Sequence, residues 1–328
     1  MKKVVSFFGD RSELFTELNR RAEEYARTLG LEYRWVPQLP FSEEEVVEEL
    51  RHADAGIIDV EPYGEPIFSR IRENTKLLVR FGVGYDKVDL AAASRAGIAV
   101  ARTTGANTAA VAEMALTLLL SCGRRMKIAQ TRTVSSVWEK DVGHELIGAT
   151  LGILGYGGIG RKLRQLVTGF GCRVLVCDHR LTPEEAAAEG VEPVSLEELF
   201  RRSDAVSLHI PARPENEKLV DARLLGLMKP TAVLVNTARG SILDEAALYE
   251  ALKAGKIAGA GLDVYAREPL PADSPLLTLE NCVLTPHVAS QTVESLWNIY
   301  RMALEICADF FAGKGSPHIL NPDYAGKS

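Results

Sequence analysis

Cysteine is scarce: five in 328 residues (Cys122, Cys172, Cys177, Cys282 and Cys307), an odd number, scattered, with no Cys-x-x-Cys pair. A disulfide framework or zinc ribbon is therefore not the organising device, and reduced thiols in a cytosol fit better, each serving as a small apolar core residue. Long hydrophobic runs are lacking too. No stretch reaches the roughly 18 apolar residues of a membrane-spanning helix. The run Val4–Phe8 after Met1-Lys2-Lys3 is too short for a signal-peptide core. Neither sign of charge dominates: 38 basic against 44 acidic residues leave a net charge of −6, so no basic field recommends nucleic acid or an anionic membrane as partner. Metal and hydrolase signatures are also missing, with no His-x-x-x-His, no Cys/His cluster and no Gly-x-Ser-x-Gly. What remains is a cytoplasmic globular chain, long enough for about two domains. Its 46% hydrophobic and 25% charged residues exclude wholesale disorder.

Short apolar runs alternate with helical patterns along almost the whole length. Lys3–Phe8, Leu31–Val36, Ala55–Ile58 and Leu77–Val79 read as strands. Arg11–Leu29, closed by Gly30, reads as a helix, as does the stretch capped by Ser42, with Glu43–Glu45 at its positive end. A second series opens near Thr150. Strands are expected at Leu151–Leu154, Arg173–Cys177, Ala205–Ile210, Ala232–Val235, Ile257–Val264 and Cys282–Leu284, with helices at Gly160–Val167, Leu196–Arg202 and Asp244–Ala254. Between the series, Asn107–Cys122 is apolar nearly all round and should be a buried helix; Thr292–Phe311 is the last long one. The βα rhythm predicts an α/β fold of mostly parallel sheets with helices on both faces.

Gly155-Tyr156-Gly157-Gly158-Ile159-Gly160 fits Gly-x-Gly-x-x-Gly. The first glycine makes the turn out of a strand, the second lets backbone approach a pyrophosphate, and the third lets helix and sheet pack closely. The amides of the helix N-terminus then face the anion. Glycine clusters also mark ordinary turns, but this one follows a strand, opens a helix and precedes a second strand running into Asp178, 18 residues beyond Gly160. A carboxylate there accepts from the adenosine ribose and repels a 2′-phosphate, so NAD is expected over NADP. Arg180, two residues on, leaves NADP open.

Other reactive side chains stand where strands should end. Arg239 follows one strand, Asp263 lies in the next and Glu268 shortly after it, and His287 follows the last. Singly, each has a dull account: a loop tether, a solvated carboxylate, a turn cap. Together, beyond the sheet that carries the glycine motif, they point to a catalytic set. His52, His144, His179 and His318 lack such company, while His209 ends a strand near the cofactor motif.

With these residues in view, the chain resembles the D-isomer-specific 2-hydroxyacid dehydrogenases. The likeness rests on Arg80-Phe81-Gly82-Val83-Gly84-Tyr85-Asp86, on Asn107–Glu113, on the glycine motif through Asp178, and on the run from Asn236 to Ser290. It implies two Rossmann-like domains with parallel sheets. An NAD-binding domain (104–290) would be inserted into a discontinuous, flavodoxin-like substrate domain (1–103 plus 291–328), closing on it before hydride transfer. It also implies a homodimer with the segment from Asn107 to Gly148 in the contact. By the same resemblance, Arg239 binds the carboxylate and carbonyl of a small 2-oxo acid, His287 is its proton donor, and Glu268 orients the imidazole. Arg80 and the amides of Val83 and Gly84 hold the carboxylate, and Asp263 bonds the nicotinamide amide. Thr108, His209, Pro211, Thr237, Ala238 and Ser290 line the dinucleotide site.

Within the family, phosphoglycerate dehydrogenase and glyoxylate/hydroxypyruvate reductase both remain open. The stretch Asp59-Val60-Glu61-Pro62-Tyr63-Gly64 is acidic where a phosphate would want a basic side chain, and it would suit a substrate bearing a hydroxyl or amine. Phosphite dehydrogenases share the Arg, Glu and His, and Glu268 argues against formate dehydrogenase. Some relatives act as NAD-sensing corepressors, an alternative that the intact Arg239, Glu268 and His287 disfavour.

Overall fold

A computed structural model describes residues 1–38 and 40–325. It divides into two compact units: Met1–Asn107 together with the stretch from Thr292 onward, and Thr108–Gln291.

The first unit contains five strands, β1 (Lys2–Ser6), β2 (Leu31–Trp35), β3 (Ala55–Ile58), β4 (Leu77–Arg80) and β5 (Ala99–Arg102). All pair in parallel, in the order β2-β1-β3-β4-β5. The pairing follows from composition. β3 and β4 are buried along their whole length, as strands must be when helices cover both faces of a sheet. One face packs on Glu13–Thr28 and on the long C-terminal helix Val293–Phe311, whose Leu296, Ile299, Tyr300 and Leu304 are buried with Leu77, Val79 and Phe81. The other face packs on Glu43–Arg51 and Glu65–Ile71, with Val46, Leu50, Phe68 and Ile71 inside.

The second unit holds β6 (Thr150–Leu154), β7 (Arg173–Cys177), β8 (Glu192–Pro193), β9 (Ala205–Leu208), β10 (Val233–Asn236), β11 (Gly259–Leu262) and β12 (Cys282–Leu284). Their order is β12-β11-β10-β9-β6-β7-β8, again all parallel. This is the doubly wound dinucleotide-binding order with a seventh strand, and it reverses between β6 and β9. The helix Thr108–Gly123 is buried as its all-round apolar sequence requires, with Ala112, Ala115, Leu118 and Leu119 packed in one cluster with Leu151, Ile153 and Val235.

Several boundaries differ from the sequence reading. The glycine-motif helix starts at Gly158 rather than Gly160, β11 stops at Leu262, and β9 at Leu208. The short helices Glu65–Ile71, Leu90–Arg95, Met126–Val134 and Pro183–Glu189 and the strand β5 were not read at all. Such pieces are too short to show a period, although Asp89 accepting the amide of Ala92 at 2.9 Å is a legible cap. Among the described residues no helix is long and apolar enough to cross a membrane.

Candidate active site

The glycine turn sits at the carboxyl end of β6, at the reversal of the sheet. Gly155 has φ +93°, and a Cβ there would stand 2.6 Å from the carbonyl oxygen of His209. A Cβ on Gly160 would meet the carbonyl oxygen of Gly155 at 2.4 Å, so the helix packs where only glycine fits. Gly157, by contrast, has no atom within 4 Å of that position, leaving the helix N-terminus open to an approaching group. The Thr108 hydroxyl lies 3.5 Å from the corresponding point on Gly158. Tyr156 is buried; its ring lies under the Arg161 guanidinium and its hydroxyl donates to Glu189 at 2.7 Å. Ile159 packs inward.

Asp178, at the end of β7, accepts the amides of Tyr156 at 2.7 Å and Arg180 at 2.8 Å. Burial pushes its carboxyl up, but those two amides and the Arg180 charge outweigh it and hold it below the usual carboxylate range. It therefore ties the glycine turn to the neighbouring strand as an anion. Arg180 itself is exposed, its Nε 3.6 Å from Asp178.

Two buried polar atoms at these strand ends have no hydrogen-bond partner in the described structure: Nδ1 of His209, beyond β9, and Oγ1 of Thr237, beyond β10. The other nitrogen of His209 bonds Ser207 Oγ at 2.8 Å, and burial lowers the ring's pKa to about 4. Unpaired buried groups are costly; together with the open helix N-terminus and the anionic Asp178, they make this end of the sheet fit a dinucleotide.

β10 runs into Asn236-Thr237-Ala238-Arg239-Gly240. The wholly buried Asn236 side chain accepts the Ala238 amide at 3.0 Å and donates to the Arg239 carbonyl at 2.9 Å, clamping the turn from which Arg239 projects. Arg239 Nη1 donates to the Ala238 carbonyl at 2.7 Å. A Cβ on Gly240 would lie 1.8 Å from the carbonyl carbon of Tyr265. Backbone thus touches backbone here, and the Arg239 turn is seated against the segment that leads to Glu268.

Glu268 takes the Tyr265 amide at 3.1 Å on one oxygen and His287 Nδ1 at 2.8 Å on the other. Burial raises its carboxyl, but the His287 hydrogen bond and charge, the Tyr265 amide and the Arg239 charge together bring it below its ordinary value. With Nδ1 committed to the carboxylate, Nε2 is the nitrogen left for chemistry. His287 adopts φ +55°, a left-handed conformation that costs a non-glycine residue about 1–3 kcal/mol. Asp263 shows what holds it there. Fully buried, it accepts Thr285 Oγ1 at 2.6 Å, the Val288 amide at 2.9 Å and the Ala289 amide at 2.9 Å. Its carboxylate braces the histidine loop from both sides.

The second unit therefore gathers the glycine turn, Asp178, His209, Thr237, Ala238, Arg239, Glu268 and His287 at the carboxyl ends of one sheet, with Ser290 just past the histidine loop. Pro211 is exposed and its carbonyl accepts Asn216 Nδ2 at 2.9 Å. Arg80 ends β4 in the first unit, and Val83 and Gly84 lie just beyond it. There the Thr103 hydroxyl accepts the Gly82 amide at 2.9 Å, while the amides of Val83 and Gly84 find no acceptor among the described residues. Sequence reasoning missed the parts played by Asn236, Gly240 and Asp263. The first two stood inside a quoted motif, but their contacts are long-range or backbone and leave no local signal.

Comparison with known proteins gives the same picture from outside. Residues 116–289 match the family described as D-isomer specific 2-hydroxyacid dehydrogenase, NAD binding domain. The chain is 37% identical to the glyoxylate reductase of Korarchaeum cryptofilum, over 88% of this chain and 89% of that one. It is 36% identical to the D-3-phosphoglycerate dehydrogenase of Archaeoglobus fulgidus over 86% of its length, spanning only 54% of that longer protein. A solved D-2-hydroxyisocaproate dehydrogenase superposes with a TM-score of 0.87 at 28% identity, covering 97% of this chain and 99% of the other.

Proposed function

This chain belongs to the D-isomer specific 2-hydroxyacid dehydrogenase family, an NAD-dependent oxidoreductase, and from that premise we propose that Arg239, Glu268 and His287 interconvert a small 2-oxo acid and its (R)-2-hydroxy acid. The observation that carries the assignment is the 2.8 Å bond between His287 Nδ1 and Glu268 Oε2, at the sheet end that also bears the glycine turn and Arg239. NAD, when bound, supplies the hydride chemistry. The chain's own residues do the rest. The amides at the start of helix Gly158–Leu166 take the pyrophosphate, and Asp178 the adenosine ribose. The Arg239 guanidinium offers its planar fork to the substrate carboxylate and carbonyl oxygen. In the first unit, Arg80 and the amides of Val83 and Gly84 are donors of the kind that a carboxylate takes. His287 Nε2 gives its proton to the carbonyl oxygen as negative charge develops there, and takes it back in oxidation. Glu268 accepts from Nδ1 and so fixes the ring with Nε2 left for the substrate.

The relatives named glyoxylate reductase, which this chain matches along nearly their whole length, favour a short substrate such as glyoxylate or hydroxypyruvate. The test is NADH and NADPH absorbance against glyoxylate, hydroxypyruvate, pyruvate and phosphohydroxypyruvate, with His287→Ala and Arg239→Ala beside the parent. Turnover should collapse in both variants while the fold survives. His287→Ala reducing the best acid at the parent rate would overturn the assigned donor.

We also propose a homodimer. Val134, Trp138, Val142 and Ile147 are 80%, 85%, 85% and 69% exposed, an apolar series within one short segment. Monomers seldom leave such a patch in water, and a second copy of the same segment is a chemically matched cover. Sedimentation of Trp138→Asp should show monomer where the parent shows dimer. A cytoplasmic setting fits the five free thiols.

A further inference from the structure

Side chains two apart on a strand share a face, and Ser207 of β9 meets His209 just past its end, Oγ to Nε2 at 2.8 Å. Ser207 is wholly buried, and the imidazole is the one partner of its hydroxyl among the described residues. On the neighbouring strand the register sets Asn236 beside Leu208, so Thr237 follows at the level of His209. Nδ1 of His209 and Oγ1 of Thr237 are the two buried atoms there without a partner.

The contact between Ser207 and the ring admits two arrangements. Either Nε2 carries the proton and donates to the hydroxyl, or the hydroxyl donates to a bare Nε2. The first leaves two groups unmet, the buried hydroxyl proton and a bare Nδ1. The second leaves one, and buried polar groups without partners are costly. Burial keeps the ring neutral, so a bare Nε2 places the single proton on Nδ1. The unpartnered atom is then an uncharged N–H donor that lacks an oxygen to bond.

The sheet order indicates where such an oxygen comes from. β6, with the glycine turn, lies between β7 and β9. A dinucleotide with its adenosine ribose on Asp178 and its pyrophosphate at the glycine turn therefore runs its second half past β9 and β10. His209 backs directly onto that turn, its carbonyl oxygen 2.6 Å from the position of a Cβ on Gly155.

Resting on the placement of NAD at this sheet end, we propose that Ser207 is a positioning residue for the cofactor. Its hydroxyl holds His209 as the Nδ1–H tautomer, and that N–H donates to an oxygen of the ribose phosphate on the nicotinamide side. Thr237 offers a second hydroxyl at the same level.

Two measurements on the full chain test this. Nitrogen-15 NMR of histidine-labelled protein separates a protonated ring nitrogen from a bare one, and loss of the signal in His209→Asn identifies it. The parent should show Nδ1 protonated and Nε2 bare, and Ser207→Ala should show both tautomers mixed. Calorimetry with AMP, ADP-ribose and NADH then locates the acceptor. His209→Leu should bind ADP-ribose and NADH about three- to tenfold more weakly, the worth of one neutral hydrogen bond. AMP ends before the second ribose phosphate and should stay within about twofold of the parent. His209→Asn, which keeps an N–H near the place of Nδ1, should lose less than His209→Leu. A parent ring protonated at Nε2 overturns the role of Ser207. ADP-ribose bound equally by the parent and folded His209→Leu, or an equal loss for AMP, overturns the donor. If His209→Leu does not fold, the parent spectrum and Ser207→Ala decide. Failure of all three ligands to bind the parent overturns the placement of the cofactor itself, and this proposal with it.

Discussion

Replacing Glu268 with Gln keeps the shape of the side chain and removes its charge, which isolates what the carboxylate does for His287. A hydrogen bond to a charged group contributes roughly 1.5–3 kcal/mol when desolvated, and two unit charges about 4 Å apart attract by about 4 kcal/mol at an effective dielectric of 20. Neither figure applies undiminished here, because the His287 and Glu268 side chains are 39% and 36% exposed. Solvent and salt screening bring the charge effect down to about 1 kcal/mol, which is about a fivefold rate effect at 1.36 kcal/mol per factor of ten.

The direction follows from the pair. Glu268 fixes the ring through Nδ1, which leaves Nε2 to the carbonyl oxygen in reduction and to the hydroxyl in oxidation. The amide of Glu268→Gln carries no charge and can turn either its oxygen or its NH2 toward Nδ1, so kcat/KM should fall about fivefold in both directions. NADH absorbance followed in both directions reads the two rates independently. If both stay within about twofold of the parent in a folded variant, Glu268 is not the partner that orients the imidazole.

Three other perturbations reach different parts of the site. Gly240→Ala places a methyl 1.8 Å from the Tyr265 carbonyl carbon, against backbone that has no rotamer to yield; a loss of about 3 kcal/mol in urea unfolding is expected, and an unshifted midpoint would contradict the close approach. Asp263→Asn leaves one of three buried donors without an acceptor, so turnover should fall with stability lower by about 1–3 kcal/mol, while NADH affinity measured by fluorescence changes less than about threefold; a large loss of affinity with turnover kept would return Asp263 to the nicotinamide. His209 holds a pKa of about 4 through burial against about 6.5 unfolded, so its ring takes up a proton first in the unfolded chain. Stability should be intact above about pH 6.5 and fall toward pH 4, with His209→Gln sparing about 2 kcal/mol of that loss at pH 5; parallel pH dependence in parent and variant would refute it.

The parts of this site that could be read from sequence share a physical property: their partners are either adjacent in the chain or fixed by strand order. The glycine motif, its helix and Asp178 lie within one βαβ unit, so spacing alone locates them. Arg239, Glu268 and His287 are far apart in sequence, yet each follows a strand, and parallel strands deliver their ends to one face. The short helices Glu65–Ile71 and Leu90–Arg95 escaped because six or seven residues span less than two turns of any period. The bracing part of Asp263 escaped for a deeper reason. A carboxylate at a strand end offers acceptors to whatever approaches, and nothing in the sequence says that the loop 25 residues later arrives first, with two amides and a hydroxyl. Gly240 is similar, since its neighbour is backbone and backbone has no residue identity. These unreadable contacts are nevertheless what convert a set of reactive side chains into a machine. Asn236 and Gly240 fix the Arg239 turn, Asp263 fixes the strained His287 loop, and the Glu268 segment lies between the two, touching one through Tyr265 and the other through its carboxylate. A conservative change in any of the three supports should consequently disturb the reacting groups while leaving every one of them in the sequence.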